Sequence, residues 1–185
     1  YFWEVDLNTS FTGEDNLNIE IETGNTPDTD SFLAVTDFGK DSGDVLKVSD
    51  INYTFPVGDW KVTVGDSLDA SKQFTGACEY GNTVDALSDC GTGNSIAVGG
   101  DQTISAGYDL DNGFSFGLGI SADDGETTKG MFTAEGEDIY AVNVAYSGDN
   151  YAVALAYADV DVATYWGINA SYSADGFPTI SGGYE

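Results

Sequence analysis

The chain has no histidine, and only five basic residues stand against 32 acidic ones, a net charge of -27 over 185 residues. Without histidine, nucleophilic mechanisms of the serine–histidine or cysteine–histidine kind have no base. With so little positive charge, nucleic acid is excluded as a partner, because lysine and arginine make the phosphate contacts. There is no run of roughly eighteen apolar residues, so no transmembrane helix is expected. That absence leaves a membrane-spanning β-barrel open, since each of its strands gives only a weak hydropathy signal. Proline is scarce, at three, while glycine reaches 24, a balance that fits many short strands joined by tight turns. Phosphate-cradling glycine motifs are missing, and no cofactor is expected. The only two cysteines, Cys78 and Cys90, share one glycine-rich loop. A disulfide in an oxidising compartment is favoured there over a metal or redox site. Closing so short a loop stabilises its shape by about 3 kcal/mol in the chain-entropy model. The chain opens at Tyr1 without an initiating Met or a signal peptide and reads as a processed or partial product. Its length suits one domain, two at most.

What is present is alternation, clearest from Asp138 to Tyr172. One face of that stretch carries Tyr140, Val142, Val144, Tyr146, Tyr151, Val153, Leu155, Tyr157, Trp166, Ile168, Ala170 and Tyr172. The other carries Ala141, Asn143, Ala145, Ala152, Ala154, Ala156, Tyr165, Gly167, Asn169 and Ser171. Period two marks strands whose faces meet different surroundings. Along each strand the aliphatic residues are central and the aromatics lie at the ends. A bilayer asks for this order, an apolar midplane with amphipathic rings at both water boundaries. The expected fold class is all-β, a transmembrane antiparallel up-and-down barrel, with the small polar face lining a lumen. A soluble sandwich also alternates; the aromatic placement favours the barrel.

Trp3, Val5, Leu7 and Phe11 oppose Glu4, Asp6, Asn8 and Ser10, and Gly13–Glu14–Asp15 turns the chain. Leu17, Ile19 and Ile21 then oppose Asn18, Glu20 and Glu22. A charge at mid-depth on a lipid face costs about 2–4 kcal/mol for Lys or Arg and less for Asp or Glu, so the acidic row must face water. Later strands are expected at Asp44 to Phe55, from Trp60, at Thr103 to Leu110, at Phe114 to Ala122, in the Asp138–Tyr172 stretch and at Phe177 to Tyr184, ten in all. Asp111–Asn112–Gly113 is a strong hairpin turn. The connections read short, long, short, very long, short, long, short, medium, short. Outer-membrane barrels alternate in this way, with short periplasmic turns and longer external loops. With short connections periplasmic, the first strand runs toward the periplasm and the tenth away from it. Bacterial barrels usually begin and end on the periplasmic side. Residues 1–185 are therefore expected to form one barrel domain incomplete at both ends, part of a larger barrel of about sixteen strands.

Leu7–Asn8–Thr9–Ser10–Phe11–Thr12–Gly13–Glu14–Asp15, with the strand ending Thr23–Gly24–Asn25, resembles the start of the barrel in cyanobacterial outer-membrane porins. That family has an N-terminal S-layer-homology anchoring domain, is related to carbohydrate-selective porins, and is often labelled iron-uptake. Tyr53–Thr54–Phe55–Pro56–Val57–Gly58–Asp59, followed by Val62–Thr63–Val64, is similar to the family's next block. The cysteine loop resembles marine picocyanobacterial members. The likeness lies almost wholly in the first hundred residues. It implies a homotrimer in outer-membrane lipid and a long loop folded inward to narrow the lumen. Two departures stand out. The family's second strand usually carries arginines where this one has Asn18, Ile19, Glu20, Ile21 and Glu22, which favours cations over anions. The anchoring domain, its coiled-coil linker and the second half of the barrel are not in this sequence.

Expected lumen-lining residues are Glu4, Asp6, Asn18, Glu20, Glu22, Asp50, Asn143 and Asn169. Trp3, Phe11, Tyr140, Tyr146, Tyr151, Tyr157, Trp166 and Tyr172 form the lipid-facing girdle. Residues 66–100 form the disulfide-closed loop, with Asp66, Asp69, Glu79, Asp85 and Asp89 facing Lys61 and Lys72 at a constriction. Rings of carboxylates select cations in pores. A solvated external loop is the competing reading. Acidity itself has two readings, a cation-concentrating lumen or solubility in a saline habitat. Asp28–Thr29–Asp30, Asp123–Asp124–Gly125–Glu126 and Asp159–Val160–Asp161 offer oxygen ligands but match no calcium-loop pattern, so solvated loop tips are favoured. Glu20 and Glu22 share a face roughly 6–7 Å apart, and with so many acids such pairs arise by chance, so no enzyme is expected. Passive diffusion of small polar or ionic solutes, with a cation preference, is the leading expectation. A cell-surface β-sandwich for adhesion or assembly is the alternative; a β-scaffold hydrolase finds no support.

Overall fold

The computed structural model describes residues 1–25, 42–78, 89–123, 130–133 and 137–185. The strands are β1 (Phe2–Thr9), β2 (Asn16–Gly24), β3 (Lys47–Val57), β4 (Trp60–Asp66), β5 (Thr103–Asp109), β6 (Phe114–Asp123), β7 (Glu137–Ser147), β8 (Tyr151–Val160), β9 (Ala163–Tyr172) and β10 (Ile180–Tyr184). They form a single sheet in sequence order, each pairing antiparallel with the next, and β1 and β10 are its edges. Among the described residues there is no α-helix.

Burial runs opposite to that of a soluble protein. Val144 and Leu155 are 40% and 52% exposed, while their strand neighbours Ala145 and Ala154 are 2% and 0% exposed. Large aliphatic side chains thus point outward, and small residues are buried on the inner face beneath the segment between β4 and β5. A sandwich would bury the valines and leucines against a second sheet; that arrangement is absent from the described residues. Aromatics rim the outer face at both ends. At the rim of the β5–β6 and β7–β8 turns, Phe114, Tyr146 and Tyr151 meet in sequence, edge-on and then tilted, at 4.9 and 5.5 Å between ring centroids. At the opposite rim Tyr157 and Trp166 lie 4.7 Å apart.

In β3 the outward phase changes between Val48 and Ile51. The sheet accommodates this by a bulge: Glu20 pairs with Asp50 and the next residue, Ile21, with Val48, leaving Ser49 over. Such an extra residue lets one strand switch phase without turning its apolar side chains inward. Ser49 Oγ then donates to Glu20 Oε1 at 2.7 Å.

Several boundaries differ from expectation. β3 runs through Pro56 to Val57, with Pro56 opposite Lys61. β1 ends at Thr9, which puts Phe11 in the turn, 71% exposed, instead of on the strand. β10 begins only at Ile180. The connection expected to be of medium length between β8 and β9 is two residues, Asp161 and Val162, because pairing continues to Val160↔Ala163. Asp161 takes φ 33° to close it. Long and short connections therefore do not alternate at this hairpin. In the turn before β6, Gly113 adopts φ 89°, a region an L side chain rarely occupies.

Asp15 organises the first turn. It is buried, and its carboxylate accepts from Ser10 Oγ at 2.7 Å, Tyr53 OH at 2.6 Å, and Thr12 N and Oγ1, each at 2.7 Å. The Ser10 and Tyr53 hydroxyls, with Thr12 after them, hold the Asp15 carboxyl far below its ordinary value of 3.8, against a smaller upward push from burial. A depressed carboxyl contributes stability that is fully present above its unfolded pKa. It is lost as the pH falls through the folded value. Asp15→Asn is expected to lower the unfolding temperature at neutral pH and to flatten the acid loss of stability below about pH 4. Thermal unfolding over a pH series measures both.

Candidate functional site

The segment between β4 and β5 lies along the inner face. Its outgoing limb crosses the wall strand by strand, read largely through its backbone. Gln73 N donates to Ser105 Oγ on β5 at 3.1 Å, Thr75 N to Asn143 Oδ1 on β7 at 2.9 Å, and Ala77 N to Asn169 Oδ1 on β9 at 2.9 Å. Asn169 is fully buried and passes its amide on to Thr92 Oγ1 of the returning limb at 3.2 Å. The two limbs hold each other through Leu68 N to Asp101 O at 3.1 Å and Ser71 N to Val98 O at 3.4 Å. Thr103 Oγ1 donates to Leu68 O.

Between segment and wall the packing is apolar. Ala70 and Val98 meet Ile139, Ala141 and Ala158; Ala77 and Ile96 meet Ala145, Ala154 and Ala156, with Phe74 between the two groups. Glycine makes this approach sterically possible. A Cβ on Gly119 would lie 1.9 Å from the Ala70 carbonyl oxygen, and one on Gly117 would lie 2.5 Å from the Phe74 ring. Gly117 and Gly119 sit on the inward phase of β6, so this signal was open to a sequence reading that had counted inward glycines. Cys78 and Cys90 are disulfide-bonded, with Cα atoms 6.1 Å apart.

The described part of the segment lies along the inner face from β4 to β10, with Cys90 and Thr92 against Gly183, and its Lys72 reaches Asp50 at the border of the wall formed by β1 to β3. That part of the wall is acidic. Cross-strand neighbours there are Glu4↔Glu22, Asp6↔Glu20 and Glu20↔Asp50. Like charges directly opposite destabilise a sheet, so the row is not explained by strand pairing. Amides partly satisfy it: Asn18 Nδ2 donates to Asp6 Oδ1 at 2.9 Å and Asn52 Nδ2 to Asp50 Oδ1 at 3.1 Å. Asp6, Asn18, Glu20, Asp50 and Asn52 line one cavity of about 350 Å³ together with Lys61, Lys72 and Gln73. Its described lining holds no aromatic side chain. Carboxylate oxygens of Glu4, Glu20 and Glu22 lie within 4.8 Å of one another. With one ligand oxygen from each, these three groups supply fewer than the six to eight oxygens that calcium takes.

The expected site residues thus separate into groups. Asp6, Asn18, Glu20 and Asp50 come together, with Glu4 and Glu22 beside them in register. Asn143 and Asn169 face inward but anchor the segment and do not line the acidic cavity. Lys72 lies 3.9 Å from Asp50, so the segment supplies the cation and the wall the acid. Asp69 is exposed at its surface, yet partial desolvation pushes its carboxyl up against the pull of Lys72, and Asp50 adds to the rise. Asp66 ends β4 and accepts from Gln102 Nε2 at 3.3 Å. Asp89 caps the turn after the disulfide, accepting from Gly91 N at 2.8 Å. Glu79 and Asp85 lie outside the described residues, as do Asp28–Thr29–Asp30 and Asp124–Gly125–Glu126. The hydrogen bonds of Asp15 and the backbone reading by Asn143 and Asn169 were not anticipated.

The sequence matches no protein-family model and no curated protein. In three dimensions the chain is similar to the porin of Rhodobacter blastica. A triple mutant of that porin matches with a TM-score of 0.53 at 12% identity, and a double mutant with 0.53 at 14%. Each match covers 97% of this chain and 62% of the porin chain, so this chain spans less than two thirds of the structures it matches. At that identity the likeness shows the fold, a porin-like antiparallel up-and-down sheet, open between β1 and β10.

Asn169→Ala removes the acceptor of the buried Ala77 N–H, and leaving such a donor unsatisfied costs about 1–3 kcal/mol. Unfolding in urea should show that loss, with faster proteolysis within residues 66–100. Gly119→Val forces a side chain into the Ala70 carbonyl and is expected to cost about 1–3 kcal/mol by overpacking. In the same unfolding series the outward substitution Leu118→Val should cost less.

Proposed function

We propose that this chain belongs to an outer-membrane porin through which small polar and ionic solutes diffuse passively, with cations preferred. The observation that carries the reading is the inverted burial. Aliphatic side chains are exposed between two aromatic rims, whereas small and polar ones are covered by an inward segment. In water such an outer face would be a large exposed apolar patch that calls for a covering surface; in a bilayer the lipid supplies it. The porin-like fold supports the same reading. Mechanism is size exclusion plus an electrostatic field, with no covalent step and no cofactor.

The cation preference rests on the acidic wall of β1 to β3, where Asp6, Glu20 and Asp50 stand on neighbouring strands and Glu4 and Glu22 continue the row. The described parts of the segment, residues 67–78 and 89–100, narrow the passage by lying along β4 to β10. Solutes then travel against the acidic side. Absence of aromatics from the described cavity lining favours ions and small polar solutes over stacked sugar rings. Ten strands over 62% of a porin chain scale to about sixteen in the whole barrel. A homotrimer, a cyanobacterial lineage with an S-layer-homology anchor, and outer-membrane lipid around the girdle complete the proposal; they rest on the resemblance of the first hundred residues. The adhesion-module alternative has no observation in its favour.

The purified protein, reconstituted in planar bilayers under a KCl gradient, should carry current with a reversal potential displaced toward that of potassium. The displacement should shrink as ionic strength rises and screening shortens. A reversal potential on the chloride side would sink the cation preference, and a silent bilayer would sink the pore.

A further inference from the structure

The acidic face carries its own cation. Lys72 Nζ lies 3.9 Å from Asp50 Oδ2; the lysine side chain is 43% exposed and the aspartate 14%. At that separation the ammonium is near the carboxylate without being locked to it, and the lysine side chain keeps part of its surface open to solvent. Its position along the wall is fixed by its neighbours. Gln73 is held through its backbone N to Ser105 and through Nε2 to Thr63 Oγ1 at 2.8 Å, and Ser71 is held to the Val98 carbonyl. The lysine therefore extends from an anchored stretch of backbone toward the row Asp6–Glu20–Asp50. Two of the chain's five basic residues, Lys61 and Lys72, line this one cavity.

We propose that Lys72 is a tethered counter-cation of the acidic wall and a specificity-determining residue, setting how strongly the passage discriminates cations from anions. The inference rests on the porin reading and deepens it. A permeating cation competes with the Lys72 ammonium for Asp50 and, through the cross-strand row, for Glu20. A permeating anion meets the same ammonium as an attractive charge. The lysine lowers the preference that the carboxylates alone would impose. It also offsets repulsion among them, so a purely structural role would alter stability and leave selectivity unmoved.

Lys72→Gln in the intact protein separates these roles. In planar bilayers at about 0.1 M KCl the potassium-to-chloride permeability ratio should rise about threefold over the wild type. The gap should close near 1 M, where the screening length falls to about 3 Å. Lys72→Arg, which keeps the charge, should retain the wild-type ratio. In an Asp50→Asn background the effect of Lys72→Gln should shrink, because contacting residues couple. A Lys72→Gln protein that conducts with an unchanged ratio overturns the proposal. If that variant does not insert, Asp50→Asn alone carries the test: its ratio should fall, and an unchanged one overturns the proposal equally. A wild-type protein that carries no current overturns the porin reading itself.

Discussion

The arrangement depends on how closely one stretch of backbone can approach the inner face of the sheet. A segment lying on a wall of valines would stand several ångströms off and leave voids or trapped water. Here Gly117, Gly119 and the alanines of β7 and β8 let it lie almost on the backbone of the strands, and the Ala70 carbonyl occupies the place of a missing Cβ at Gly119. Close approach then makes the polar contacts possible. Asn143 and Asn169 are short enough to reach backbone N–H groups only because the segment lies so near. Packing and hydrogen bonding are therefore one requirement, met by the same residues.

That contact also decides where charge is found. The covered wall over β4 to β10 is small and mostly uncharged, as burial requires. The wall over β1 to β3 keeps its carboxylates in contact with water and amides. The sheet tolerates Glu4 against Glu22 and Asp6 against Glu20, pairings that work against its stability, and supplies Asn18, Asn52 and Ser49 as donors beside them. Asp15 reinforces the same region from below, joining the β1–β2 turn to β3 through Tyr53. A hairpin strained by like charges is held at its base by a fully hydrogen-bonded carboxylate.

Much of this was legible in the order of residues. Alternation identifies the strands and their outward faces, because a period of two survives any change of register or curvature. Asp111–Asn112–Gly113 identifies its turn, and two cysteines in one loop identify their pairing. The bulge at Ser49 was not visible, since it shows only as a phase change between Lys47–Val48 and Ile51 that a turn would explain equally well. Nor was the two-residue link at Asp161–Val162, where turn-like acidic residues read as a longer connection. Lys72 beside Asp50 was beyond reach as well: the two are joined by the path of a segment that has no periodicity of its own. Its lodging place was written in the inward glycines of β6, which alternation hides by making them look like gaps between phenylalanines and leucines.

The wall grips the segment mainly by its main chain. Gln73, Thr75 and Ala77 present the same N–H whatever side chain they carry, so the asparagines and serine that receive them constrain geometry more than identity. Shape and polarity on the free side of the segment can thus drift through substitutions while the scaffold beneath stays as it is. Under the porin reading proposed above, a protein built this way can be adapted to a new diet of solutes without being refolded.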